Sequence, residues 1–184
     1  MKNTISKATS VSAETLAGYE GKTMSLSTAN GQVDFDEKAL ASIVENSSGG
    51  ITLTMNDLTE DKAYKDKDYG LVVELKVQDE DGKELFTEEG DGKAKVTLSY
   101  DGEVKDKDSL KVYRLNGEEE EEIEALYDAD EKTVTFETEH FSVYAVAQQT
   151  SSVNIIIIVS VAVIAVIAAA AAVIIRRKRQ FDRD

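Results

Sequence analysis

Cysteine, proline and tryptophan are absent from this chain of 184 residues, and histidine occurs once, at position 140. Without cysteine the protein has no disulfide, no thiolate metal site and no cysteine nucleophile. The chain also lacks a phosphate-binding glycine loop, a zinc motif and a nucleophile elbow. These absences exclude the enzyme classes that depend on such motifs, and no cofactor is expected.

Basic residues are scarce except at the C-terminus. The net charge is -15, and the last nine residues carry five basic and two acidic groups, a net of +3. The preceding part therefore carries -18, the difference between -15 and +3. Phosphate binding requires a basic surface, so nucleic acid is excluded as a partner of the acidic part.

A long uncharged segment lies near the C-terminus. Residues Ile155–Ile175 contain no charged residue, and only Ser160 is polar. At about 1.5 Å per residue these positions span about 31 Å as a helix, which matches the hydrocarbon thickness of a bilayer. The segment is predicted to be a single transmembrane helix, with the lipid bilayer as its partner.

Charge next to this segment predicts its orientation. Arg176, Arg177, Lys178 and Arg179 follow it directly, whereas residues 148–154 before it are uncharged. Positive residues stay on the cytoplasmic side, so the acidic part is predicted to be extracellular and the tail 176–184 cytoplasmic. Residues 1–19 contain no apolar stretch of a signal peptide. We therefore expect them to be the end of a longer upstream region; a tail anchor with a cytosolic domain is the alternative.

The acidic part has the pattern of an antiparallel β protein. Apolar residues alternate in runs such as 71–77 and 96–100, and Asn-Gly or Asp-Gly pairs separate many of these runs. Ile123, Ala125 and Tyr127 continue the pattern, and residues 141–146 are apolar at most positions, as in a strand buried on both faces. Two short helices are predicted, 12–18 and 36–46, with Ser and Asp as their N-caps.

Two segments carry a resemblance to a known family. Gly21–Met55 and the stretch "KVTLSYDGEVKDKDSLKVYRLNGEEEEEIEALYDADEKTVTFETEHFSVYAV" resemble a module common in large surface proteins of Gram-positive bacteria. The resemblance covers about residues 22–147. It implies a β-sandwich C-terminal to adhesive, carbohydrate-binding or enzymatic domains, close to the wall or membrane anchor. The chain departs from the family pattern at Ser99, where proline is usual, and at Glu131-Lys132, where Thr-Gly is usual.

His140-Phe141-Ser142 is the sharpest candidate for chemistry. It is similar to the self-cleavage sites of the nucleoporin autoproteolytic domain and of adhesion-receptor GAIN domains. That resemblance implies that Ser142 attacks the carbonyl of Phe141 with His140 as general base, in a strained turn. The structural alternative makes Phe141 a core anchor of the last strand, with His140 and Ser142 satisfying backbone groups at its start. The structural alternative is preferred, and the chain is expected not to be an enzyme.

Acidic loops are the second candidate. Asp79, Asp81 and Asp91 belong to clusters of carboxylates, and five consecutive glutamates occupy positions 118–122. Calcium prefers oxygen ligands, but the full twelve-residue loop of a calcium-binding motif is missing. Solvated turns and protection of sheet edges are the simpler interpretation. No metal site is therefore assigned.

These observations predict a mainly β protein: an antiparallel β-sandwich with one or two short helices, plus a C-terminal single transmembrane α-helix. The predicted parts are a lead-in at 1–19, the sandwich at 20–147, a polar linker at 148–154, the helix at 155–175 and the tail at 176–184. The expected function is a non-catalytic surface spacer that presents upstream domains, which would contact the cell wall or an extracellular ligand. An adhesin module and a self-cleaving domain are the alternatives.

Overall fold

A computed structural model describes residues 7–19, 21–117 and 119–149. These residues form twelve strands in two antiparallel sheets, two short α-helices and one turn of 3₁₀ helix at Lys107–Ser109. The strands are β1 Ala8–Val11, β2 Met24–Thr28, β3 Gly31–Phe35, β4 Ile51–Asp57, β5 Leu71–Asp79, β6 Glu84–Leu85, β7 Ala94–Ser99, β8 Leu110–Asn116, β9 Glu119–Ile123, β10 Ala125–Asp128, β11 Thr133–Thr138 and β12 Val143–Gln148. The helices are α1 Ala13–Ala17 and α2 Glu37–Asn46.

The first sheet has the strand order β1-β4-β5-β12-β8-β9, with the short β6 paired to β5. The second sheet has the order β10-β11-β7-β3-β2. One hydrophobic core takes side chains from both sheets, including Leu53 and Val77 from the first and Val33, Val96 and Phe136 from the second. The arrangement confirms the predicted mainly β architecture of two packed antiparallel sheets.

Alternation along the strands explains which face each one buries. Residues Val73, Leu75 and Val77 of β5 point into the core, as the period of two requires. The outer face of the first sheet has a smaller cluster around Val72 and Ala145, covered by Leu58, Tyr64, Tyr69, Tyr113 and Val143. Strand β12, between β5 and β8, is therefore buried on both faces, as its apolar sequence predicts.

Both predicted helices are present with the predicted caps. The Ser12 hydroxyl accepts from the backbone N–H of Thr15 at 3.3 Å, and the Asp36 carboxylate accepts from the N–H of Ala39 at 2.7 Å. Ala39, Leu40 and Ile43 of α2 are buried in the common core. Helix α2 links β3 of the second sheet to β4 of the first, and its buried face is part of the core that both sheets share.

Two details differ from the sequence prediction. Ile123 and Ala125 lie in different strands, β9 and β10, because the chain crosses from the first sheet to the second at Glu124. Both side chains still pack against the shared core. The alternation of apolar residues therefore continues from β9 into β10, and the sequence pattern does not show that the chain changes sheets. The first sheet also begins N-terminal to the expected boundary at residue 20, since β1 pairs with β4 over Ala8–Val11.

Candidate functional site

The corner that contains the only histidine lies between β11, which ends at Thr138, and β12, which begins at Val143. We call residues 138–142 the His140 corner. Its tripeptide precedes the last strand and is not part of it, a correction to the expectation that it opens the strand. The corner joins the second sheet to the centre of the first.

A triangle of polar groups holds the backbone of this corner. The carbonyl oxygen of His140 lies 2.6 Å from the Thr138 hydroxyl and 2.7 Å from the Tyr144 hydroxyl, and the two hydroxyls are 2.9 Å apart. Tyr144 is fully buried, and burial raises the pKa of its hydroxyl to about 12. In immunoglobulin-like sandwiches, a tyrosine whose hydroxyl hydrogen-bonds to the backbone a few residues upstream is called a tyrosine corner.

Phe141 is a core anchor, as the structural alternative predicted. Its ring lies 5.1 Å from that of Phe86 and 5.8 Å from that of Phe35, measured between centroids. Its backbone N–H donates to the carbonyl of Phe86 at 2.9 Å. The three rings pack in tilted or edge-on geometries, which aromatic pairs favour.

Ser142 contacts the two strands that flank β12. Its hydroxyl donates to the carbonyl of Leu115 on β8 at 3.4 Å, and its carbonyl accepts from the N–H of Leu75 on β5 at 3.0 Å. Among the described residues, no hydrogen bond joins this hydroxyl to the His140 ring. The nucleophile and base that self-cleavage requires are therefore neighbours in sequence without a direct hydrogen bond in the fold.

The His140 ring instead contacts Arg114 of β8. The guanidinium Nη1 lies 2.9 Å from Nε2 and 3.3 Å from Nδ1 of the imidazole. Nε of Arg114 donates to a carboxylate oxygen of Glu121 at 3.1 Å, and Nη2 donates to the same oxygen. Burial lowers the pKa of His140, and the positive charge of Arg114 lowers it further.

The described non-glycine residues with a left-handed backbone conformation lie outside the His140 corner. Within residues 7–19, 21–117 and 119–149, the non-glycine residues with positive φ are Phe86, at 57°, and Lys132, at 50°. Phe86 supports the corner because its carbonyl binds Phe141. The His140 corner itself has no residue of this kind, so this form of strain is not placed at the Phe141–Ser142 bond.

The carboxylate oxygens of Asp79, which a bound cation would need, accept hydrogen bonds from the protein instead. Its carboxylate accepts from Ser48 N–H at 3.2 Å, Ser48 hydroxyl at 3.0 Å, Asp81 N–H at 3.1 Å and Lys83 N–H at 2.8 Å. Burial raises the pKa of Asp79, but these hydrogen bonds outweigh it and hold the pKa below its ordinary value. The residue is thus an anchor for the turn that follows α2 and for the hairpin after β5.

The other calcium candidates, Asp81 and Asp91, do not form a cation-binding group with Asp79 among the described residues. The side chain of Asp81 is exposed, and Asp91 belongs to the loop before β7. No group of three or more His, Cys, Asp or Glu in the described part of the chain is placed to hold a metal ion. The glutamates 119–122 form the edge strand β9 and not a loop, which corrects the sequence interpretation.

Three of these edge glutamates have basic partners. Lys67, Arg114 and Lys111 pair with Glu120, Glu121 and Glu122, and the Tyr69 hydroxyl donates to Glu120 at 2.6 Å. Two cavities of about 500 Å³ and about 320 Å³ border this edge. The smaller is lined by Glu89, Lys93, Arg114, Glu121, Glu122, Ile123, Glu137, Thr138 and Glu139. The larger cavity has one aromatic residue in its lining, Tyr127, and the smaller has none, whereas a sugar-cleaving cleft is typically lined by several.

The predicted membrane anchor, from Ile155 to Ile175 with Arg176, Arg177, Lys178 and Arg179, lies outside the described residues. Over the ranges that are described, no helix is both long and apolar enough to cross a bilayer.

Sequence reasoning identified His140, Phe141 and Ser142 but missed Arg114, Thr138 and Tyr144. The spacing of four residues between His140 and Tyr144, at the entry to a predicted strand, is a signal that could have indicated a tyrosine corner. Arg114 is 26 residues from His140, and no local pattern reports such a contact. Comparisons with protein-family models, curated proteins and solved structures find no match for the chain.

Proposed function

We propose that this protein is a membrane-anchored cell-surface spacer, in which a non-catalytic β-sandwich holds domains carried N-terminal to it outside the cell. The observation that carries the proposal is the position of β12. This strand is the last of the domain, and it lies in the centre of the first sheet, bonded to β5 on one side and to β8 on the other.

A central last strand suits a domain that is loaded through its C-terminus. Tension from residues 150–184 enters the fold at Gln148, where β12 is registered with β8 along six residue pairs, from Val143 to Gln148. The side chains of Tyr144 and Val146 lie in the main core. Pulling on this strand therefore requires many hydrogen bonds and buried contacts to break together.

Surface composition supports a spacer over an adhesin. An adhesive surface would expose an apolar or aromatic patch of a few hundred Å². Across the described residues, the exposed large hydrophobic side chains are Tyr19, after α1, and Leu126, on β10. Two such side chains do not make up a patch of that size.

Cysteine labelling tests the topology, because the native chain contains no cysteine. Two single-cysteine variants are matched: Lys62→Cys on an exposed loop of the domain and Gln180→Cys in the basic tail. In intact cells a membrane-impermeant maleimide should label Lys62→Cys and leave Gln180→Cys unlabelled until the cells are lysed. Labelling of the tail alone would overturn the surface location, and recovery of both variants in the soluble fraction would overturn the anchor.

A further inference from the structure

The charged surroundings of the His140 ring consist of one cation and three carboxylates, which come from four parts of the fold. Arg114 of β8 touches the ring, and Glu121 of β9 touches Arg114. Glu89, in the loop before β7, and Glu139, beside His140 in the corner, also act on the ring electrostatically. The half-buried histidine thus belongs to a charged cluster whose other members, Glu89, Arg114, Glu121 and Glu139, line the cavity of about 320 Å³.

Arg114 connects this cluster to the edge of the first sheet. Its guanidinium reaches Glu121 across the β8–β9 pair, where the two residues are register partners. Within the described chain β9 is bonded to β8 alone, and its side chains at 119–122 are all exposed. Side-chain contacts such as the one between Arg114 and Glu121 therefore add to the single backbone hydrogen-bond ladder that holds β9 on the sheet.

Protonation of His140 is incompatible with the present contact. Arginine only donates hydrogen bonds, so the imidazole nitrogen that faces it must act as an acceptor. A protonated imidazole carries an N–H on both nitrogens and a positive charge, and it has no acceptor to offer. It then repels Arg114 and is attracted to the carboxylates of Glu89, Glu121 and Glu139.

We propose that His140, Arg114 and Glu121 form a pH-sensitive latch on the edge strand β9. At neutral pH, Arg114 bridges the neutral imidazole and Glu121, and β9 is held. On acidification, the imidazolium displaces Arg114 and competes with it for Glu121, so the tie to β9 weakens and the neighbouring cavity opens. The backbone of the corner stays in place, because Thr138 and Tyr144 hold the His140 carbonyl.

The size of the response follows from linkage. The closed latch binds a proton less readily than an open one, in which His140 has its ordinary pKa of about 6.5. The stabilisation of the closed latch is therefore fully present above about pH 6.5. It falls as the pH drops from there towards the lower pKa that His140 has in the closed latch. Each unit by which the pKa of His140 is lower in the closed latch than in the open one changes the closed-to-open ratio by about tenfold across this pH range.

The test uses NMR on the full chain in detergent micelles, which accommodate the apolar segment 155–175. Because histidine occurs once, its imidazole signal needs no assignment. We expect His140 to titrate below about 6.5. Hydrogen-exchange protection of the β9 amides, corrected for intrinsic rates, should fall several-fold between about pH 7.5 and about pH 5.5, while protection of the β7 amides in the second sheet stays constant.

Two variants separate the latch from general acid sensitivity. His140→Gln keeps a neutral acceptor but cannot titrate, so the protection of β9 should become independent of pH over this range. Arg114→Gln removes the cation and should move the titration of His140 upwards. Titration of wild-type His140 at or above its ordinary value overturns the proposal. So does a pH dependence of β9 that persists in His140→Gln, or equal protection at both pH values in the wild type.

Discussion

At the scale of single residues, Lys132 occupies a turn position whose backbone conformation suits glycine. Lys132 adopts φ of 50°, in the left-handed region where a side chain meets the following carbonyl. Its own carbonyl accepts from the N–H of Tyr100, the residue that follows β7, at 2.9 Å, and this hydrogen bond holds the turn.

Lys132→Gly is expected to stabilise the domain by about 0.5–1 kcal/mol, the strain relieved less the added entropy of glycine in the unfolded chain. Chemical denaturation measures the change. Glu131→Gly is the matched control, since residue 131 lies in the same exposed turn without a positive φ. The control should lose stability. Equal effects in both variants would contradict this account of the turn.

Tyr144→Phe should destabilise the domain by about 1–2 kcal/mol, because it removes one hydroxyl from the triangle around the buried corner. The wild type should also lose stability as the pH rises from about 10, the ordinary tyrosine pKa, through about 12, the raised pKa of Tyr144. The variant should lose less over that range. Thermal unfolding at several pH values checks both, with Tyr19→Phe at an exposed site as the control that changes neither.

Ser142→Ala tests the self-cleavage hypothesis at the same corner. The Ser142 hydroxyl binds the Leu115 carbonyl, and His140 is engaged by Arg114. We therefore expect the wild type and Ser142→Ala to run as one full-length band on a denaturing gel. Two fragments in the wild type that merge into one in the variant would establish cleavage and refute the non-catalytic assignment.

At the scale of elements, α2 shows how one capping residue can join two segments. The Asp36 carboxylate caps the helix at Ala39 and also accepts from the N–H of Lys93 at 3.0 Å. The Asp36 N–H donates to the Lys93 carbonyl at 2.9 Å. Gly92 lies against the same helix end with φ of 102°, where a Cβ would come 2.2 Å from the Ala39 nitrogen.

Gly92→Ala should therefore destabilise the domain by more than about 2 kcal/mol, since it adds a collision with the backbone of α2 to the strain of a positive φ. Gly90→Ala is the matched control: its φ is 94°, but no atom lies within 4 Å of the added Cβ. The control should lose only about 1 kcal/mol. Similar losses in the two variants would show that the loop does not dock on α2.

At the scale of the whole molecule, β1 brings residues Ala8–Val11 into the first sheet. Ser10 and Thr52 are register partners, and their hydroxyls lie 2.9 Å apart. Thr9 also reaches across to the Ser27 carbonyl, before the β2–β3 turn of the second sheet. Residues Ala8–Val11, which lie within the expected lead-in, thus form an edge strand of the first sheet.

The double variant Ser10→Cys/Thr52→Cys should form a single disulfide, because the chain has no other cysteine. Closing this loop is expected to stabilise the domain by about 2–4 kcal/mol relative to the same variant after reduction. Denaturation with and without reductant gives the difference. If oxidation leaves stability unchanged, β1 does not stay paired with β4 in the folded protein.

Much of the fold was predictable because its signals are local. Alternating apolar residues predicted strands such as β5 and β11, and Ser12 and Asp36 predicted where helices begin. The candidate site was only half predictable. The tripeptide at 140–142 could be identified in the sequence, whereas its partner Arg114 comes from a strand that is adjacent to β12 only in the folded sheet.

By itself, the sequence determined the class of fold, the positions of both helices and the burial of the last strand on both faces, because each depends on periodicity or on a capping residue within a few positions. The tertiary structure decided that Ile123 and Ala125 belong to different sheets, that β1 forms an edge strand and that His140 contacts Arg114 instead of Ser142. These outcomes depend on which strands become neighbours, and that choice is made by packing both sheets onto one core.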